Sequence, residues 1–189
     1  PVLTAEFSLN ARDLGLLAGG YFLGFSATQL PMGAWLDRHG PRKVILSLLS
    51  VALVGCVAFS LAGGFSALLG ARVLIGAGVS ACLMAPLTGN RRWLDASAQL
   101  RANSWMLMTG SLGMVASTLP VQWLVPLLGW RPLFWGLAVA LAVAMVWIVM
   151  AVPAWSAPEN APAEGPEASY AAVWRHPLFR RLTPIGFLS

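Results

Sequence analysis

An aspartate, a histidine and three stronger cations crowd into the turn Asp37-Arg38-His39-Gly40-Pro41-Arg42-Lys43, and Gly33 stands one helical turn before the aspartate. Side chains of these types form ion pairs and charge-assisted hydrogen bonds. They make and release contacts rather than covalent bonds. Gly33 and Asp37 are four residues apart, so on a helix they share a face, and the glycine lets a neighbouring helix approach. Asp37 can accept from Arg38, Arg42 or Lys43, or from the amides at another helix's N-terminus. Gly40-Pro41 tightens the reversal.

Arg72 is the second charged group with chemical potential. It lies about two turns inside an otherwise apolar run. A charge at the centre of a membrane helix costs about 2.5–3.5 kcal/mol on insertion scales, so its side chain is expected to face protein or a water-filled cavity. Gly76, one turn on, leaves room beside it. The plainer alternative is an arginine snorkelling to the outer interface. Tyr21, Gln29, Asn103, Trp105 and Thr109 are the other polar or amphipathic side chains that could reach a cavity, with packing or interfacial roles as their ordinary reading. Thr109, Gly113 and Ser117, spaced by four, read as a helix-packing face.

No Gly-x-Ser-x-Gly, His-Glu-x-x-His or phosphate-loop pattern occurs, and His39 and His176 are far apart. Gly76-x-Gly78 lies inside an apolar run with no strand before it, so it is no dinucleotide fingerprint. The expectation is a protein that is not an enzyme and uses neither cofactor nor metal.

The elements that position these residues follow from composition. Of 189 residues, 58% are hydrophobic and 10% charged, against about 25% charged in a soluble domain. Five apolar runs reach membrane length: Leu14–Leu36, Val44–Gly63, Ser66–Thr88, Ala102–Leu124 and Pro132–Val152. The first would span roughly 34 Å as a helix. Leucine, alanine and valine dominate without alternation, which predicts an all-α polytopic helix bundle rather than a barrel.

The net charge of +5 does not mark a nucleic-acid face. Arg38, Arg42 and Lys43 share one connection, Arg91, Arg92 and Arg101 another, and Arg175, Arg180 and Arg181 a third, whereas the alternate connections hold only Arg12 and Arg131. This asymmetry places the basic loops in the cytoplasm, most simply at a bacterial inner membrane. Cys56 and Cys82 sit within apolar runs and read as small packing residues. Asn10 or Ser8 is expected to cap the first span. Pro120 and Pro126 are expected to close the fourth, and Gly129-Trp-Arg131 to open the fifth. Trp123, Trp130 and Trp135 read as an aromatic belt. Residues 1–153 thus form the bundle, 154–181 a Pro-, Ala- and Glu-rich cytoplasmic linker with a short surface helix at its end, and 182–189 the start of a further span.

Gly33-x-x-x-Asp37-Arg38-x-Gly40-x-Arg42-Lys43 resembles the signature between the second and third helices of the major facilitator superfamily. Arg72-x-x-x-Gly76-x-Gly78 resembles its fourth-helix motif, and Gly129-Trp-Arg131-x-x-Phe134 its turn into the sixth helix. The resemblance covers essentially the whole chain. It implies helices two to six and the start of seven, most of the N-terminal half of a twelve-helix secondary transporter, with the first helix and the C-terminal half as missing partners. It also implies alternating access, a small-molecule substrate with or without a coupling ion, and a conformational latch at Gly33, Asp37, Arg38, Gly40, Arg42 and Lys43. The matching arginine of the family is tied to substrate or coupling-ion handling, which makes Arg72 and Gly76, with Tyr21, Gln29, Trp105 and Thr109, the substrate candidates. Ile75 and Met114 depart from the drug–proton antiporter pattern. A membrane sensor that binds a ligand without moving it is the alternative.

Overall fold

The computed structural model describes residues 2–153. The linker, the surface helix and the start of a further span expected over residues 154–189 lie outside the described residues. The described chain is all-α, with no strand. Its elements are α1 (Val2–Phe7), α2 (Ala11–His39), α3 (Pro41–Ser60), α4 (Phe65–Val79), α5 (Ala81–Trp93), α6 (Ala96–Leu128) and α7 (Trp130–Ala151).

Local chemistry sets most of the boundaries. Asn10 caps α2: its side chain accepts from the Asp13 amide at 2.9 Å, and the Asp13 carboxylate accepts from the Asn10 amide at 3.0 Å. Such a reciprocal cap stabilises a helix start by about 1 kcal/mol. Gly40 ends α2 with φ of 77°, and its amide donates to the Leu36 carbonyl at 3.0 Å. Pro41 then opens α3, where its missing N–H costs nothing. Asp95 caps α6 by accepting from the Ala98 amide at 2.9 Å.

Three boundaries differ from expectation. The residues before α2 are not all loop, because Val2–Phe7 forms a turn and a half of helix. The third apolar run breaks at Ser80, whose amide and hydroxyl both turn back to the Ala77 carbonyl; α4 and α5 together still cover one membrane-length stretch. The fourth helix continues through positions 120 and 126 to Leu128. Each proline removes only one ladder bond, and the helix ends instead at Gly129, with φ of 82°.

Four helical stretches are long and apolar enough to cross a membrane: Pro41–Ser60, Phe65–Trp93, Ala96–Leu128 and Trp130–Ala151. Helix α2 has 29 residues but is not among them, since its glycines together with Tyr21, Thr28 and Gln29 dilute its apolar character.

The tightest packing is where α4 crosses α2 and α3. A Cβ at Gly76 would run into the Tyr21 carbonyl of α2, and one at Gly24 into the Val73 carbonyl of α4. The two backbones therefore touch, as small residues permit in membrane bundles. Two buried clusters flank this crossing. Met32, Leu36, Val44, Leu48, Ala81 and Ala85 form one. Leu9, Leu17, Phe59, Ala62, Leu68, Ala71 and Trp130 form the other. Helices α6 and α7 are mostly exposed along their apolar faces.

Candidate functional site

The ends of α2, α3, α5 and α7 meet at the basic end of the bundle. The expected partners of Asp37 were Arg38, Arg42 or Lys43, or the amides at another helix's N-terminus, but its carboxylate accepts from the Arg92 side chain near the C-terminus of α5 at 3.2 Å. Arg42 reaches the other way and donates to the Val149 carbonyl near the C-terminus of α7 at 2.7 Å, where a cation meets the negative end of the helix dipole. Arg38 is exposed. Lys43 lines a groove of about 390 Å³ with Trp35 and His39, between α2 and α3. Nothing among the described residues approaches the position of a Gly33 Cβ. Asn90 and Asn103 join α5 to α6 across the turn with a 2.9 Å hydrogen bond. The turn is thus a hub from which separate contacts radiate to α5 and α7.

Arg72 projects from α4 among aromatic rings. Its guanidinium carbon lies 4.9 Å from the Phe59 ring centroid and 6.0 Å from that of Phe134. Its Nε is buried and has no hydrogen-bond partner among the described residues. Tyr21 and Gly76 meet at the α2–α4 crossing one turn away. Gln29 donates weakly, at 3.4 Å, to the Ser80 carbonyl at the helix break. The structure therefore gathers Tyr21, Gln29, Arg72 and Gly76 along one helix pair. Trp105 and Thr109 are not brought to Arg72: the Trp105 side chain is exposed on α6, and the Thr109 hydroxyl donates to the Trp105 carbonyl of its own helix.

At the opposite end, Glu6 of α1 accepts from Trp130 Nε1 and from Arg131 Nη1, each at 2.6 Å. Arg131 also donates to the Ala62 carbonyl at 3.3 Å and stacks on the Trp130 ring, 4.4 Å from its centroid. The hydrogen bond from Trp130, and then that from Arg131, holds the Glu6 carboxyl below its ordinary value; burial opposes them more weakly.

Sequence reasoning missed Glu6 and Arg92. Glu6 stood in a segment without periodicity, and its partners are more than 120 residues away. Arg92 was visible only as a topogenic charge.

A model of the Major Facilitator Superfamily matches residues 1–189. The chain is 27% identical over 177 residues to a cis,cis-muconate transport protein of Acinetobacter baylyi, covering 92% of this chain and 42% of that protein. It is 25% identical over 172 residues to a probable chloroplastic anion transporter of Oryza sativa subsp. japonica (89% and 28%). It is 24% identical over 150 residues to a hexuronate transporter of Escherichia coli (79% and 35%). The chain thus spans less than half the length of these relatives. With its helices, its basic turn and the match along its full length, this chain belongs to the major facilitator superfamily.

Proposed function

We propose that this chain is part of a secondary transporter that moves a small anionic solute by alternating access, with Arg72 as an anion contact. The observation that carries this reading is a cation inside a membrane-length stretch with no counter-ion among the described residues. The names of the relatives agree in charge, since muconate and hexuronate are carboxylates and a third relative is called an anion transporter. The basic end lies in the cytoplasm, as in a bacterial inner membrane. The chain then crosses the bilayer five times, as α2, α3, α4 with α5, α6 and α7. A preceding helix and a second half, which the family's architecture supplies, complete the transport path.

The Asp37–Arg92 contact serves as the cytoplasmic latch. It joins α2 to α5 through an Asp37 carboxylate that is 69% exposed, so water can replace the contact at little cost, and making or breaking it shifts the balance of inward and outward states.

The test is uptake by the full-length protein in proteoliposomes, with a panel of labelled carboxylates. Arg72→Lys is expected to lose most uptake, because an ammonium cannot reproduce the planar guanidinium fork. Unchanged saturation kinetics in that variant would remove Arg72 from the site. Ligand binding by the natural protein without any uptake would replace the transporter with a sensor.

A further inference from the structure

All four carboxylates of the described residues are committed away from Arg72. Asp13 and Asp95 cap helices, Asp37 binds Arg92, and Glu6 binds Trp130 and Arg131. Arg72 makes no hydrogen bond or ion pair among the described residues, and the rings of Phe59 and Phe134 face its guanidinium, with Tyr21 and Cys56 also nearby. A cation over an aromatic face is held by the ring quadrupole, most strongly where water is excluded.

The rings are themselves fixed. Phe59 is fully buried and stacks on Phe134 with centroids 4.1 Å apart. Trp130 meets Phe59 edge-on at 5.6 Å and Phe134 at 6.4 Å, and Glu6 accepts from the Trp130 indole. The pair can move little without disturbing this cluster. Sequence spacing contributes as well: Trp130 and Phe134 are one turn apart on α7, and Phe59 and Cys56 share the face of α3 turned toward α4.

We propose that Phe59 and Phe134 are positioning residues. They form an aromatic cradle that holds the Arg72 guanidinium in place without neutralising it, so that its terminal in-plane N–H donors remain for an anionic solute. A carboxylate in the same position would compete with the anion for those donors; a ring face engages the cation and accepts none of its in-plane N–H bonds. The proposal rests on the reading of Arg72 as the anion contact. It adds what aims that contact and why no acidic residue stands beside it. Because the guanidinium lies closer to Phe59 than to Phe134, Phe59 carries the larger share.

The test replaces Phe59, and separately Phe134, with mono-, di- and trifluorophenylalanine in the full-length protein. Fluorination keeps the ring but weakens its quadrupole. Uptake of labelled glucuronate and cis,cis-muconate in proteoliposomes supplies KM and kcat. The Arg72 Nε–H resonance, assigned through Arg72→Lys, reports the cradle without any ligand. The expected result is a KM that climbs stepwise with fluorination at Phe59, reaching about tenfold, with kcat nearly constant and a smaller rise at Phe134. The Nε–H resonance should carry an upfield ring-current shift that Phe59→Leu abolishes. A flat KM across the fluorinated series in a protein whose uptake is lost in Arg72→Ala, or an unshifted resonance, overturns the cradle. If Arg72→Ala leaves uptake of both probes intact while the ring-current shift is present, the anion reading fails and the cradle as a structural feature survives. The two failures are therefore distinguishable.

Discussion

The two ends of the bundle each carry an ion pair, and the pairs are built differently. At the basic end one guanidinium nitrogen reaches Asp37 at 3.2 Å, and the Asp37 side chain is 69% exposed. At the opposite end Glu6 takes one donor from Trp130 and another from Arg131, both at 2.6 Å, and Arg131 is itself tied to Ala62 and stacked on Trp130. A pair whose carboxylate is mostly solvent-exposed, as that of Asp37 is, contributes about 0–1 kcal/mol. A pair whose partners are already ordered by other contacts loses less side-chain freedom on forming. The difference teaches that ion pairs in one chain can be built to different degrees: a carboxylate that takes one donor from α5, and a two-donor staple that ties the short helix α1 to α7.

The heaviest blow to this contrast is Trp130→Ala. It removes a buried ring that touches Phe7, Phe59 and Phe134 and also donates to Glu6. Loss of such a residue costs about 3–5 kcal/mol. Thermal unfolding of the full-length protein in detergent should show it, and a change no larger than that of Asp37→Ala would erase the distinction between the ends. Next comes Gly76→Ala, whose Cβ meets the Tyr21 carbonyl. Overpacking of this kind costs about 1–3 kcal/mol, and because the crossing lies between the clusters, cysteine-accessibility rates should rise at both ends. A rise at only one end would show that the clusters are not joined through the crossing.

Glu6→Gln tests the staple by pH. The Trp130 and Arg131 contacts lower the Glu6 value below its ordinary 4.5. Their contribution is therefore fully present above that value and is lost as pH falls through the lower folded value. The natural protein should lose thermal stability on acidification below about pH 4.5, and the variant should lack that component. Parallel pH profiles would remove the role given to Glu6. Asp37→Ala should have the smallest effect on stability, within about 1 kcal/mol, while lowering uptake with expression unchanged. Normal transport kinetics would sink the latch.

Much of this was legible in the chain. Apolar runs with basic turns between them announced a helix bundle, and Asn10, Gly40-Pro41 and Gly129 marked helix ends because capping and positive φ are local chemistry. Pairing across the fold was harder to read. Asp37 and Arg38 are consecutive, so on a helix they point about 100° apart, and Arg42 and Lys43 begin a new helix with directions of their own. The partner that packing brings to Asp37 is Arg92, 55 residues away. The break at Ser80 was hidden for a similar reason. A serine amid alanine and glycine carries no breaking signal, and the break shows only when both its amide and its hydroxyl are seen turning back to Ala77.

The backbone contacts of Gly24 with Val73 and of Gly76 with Tyr21 have a mechanical consequence. Side chains at a helix interface can change rotamer and let the helices slide, but touching main chains have no such compliance. Helices α2 and α4 must therefore travel as a single strut. A displacement of the charged turn where α2 ends therefore acts on the segment that carries Arg72, so the protein's basic end and its half-buried cation lie on one helix pair.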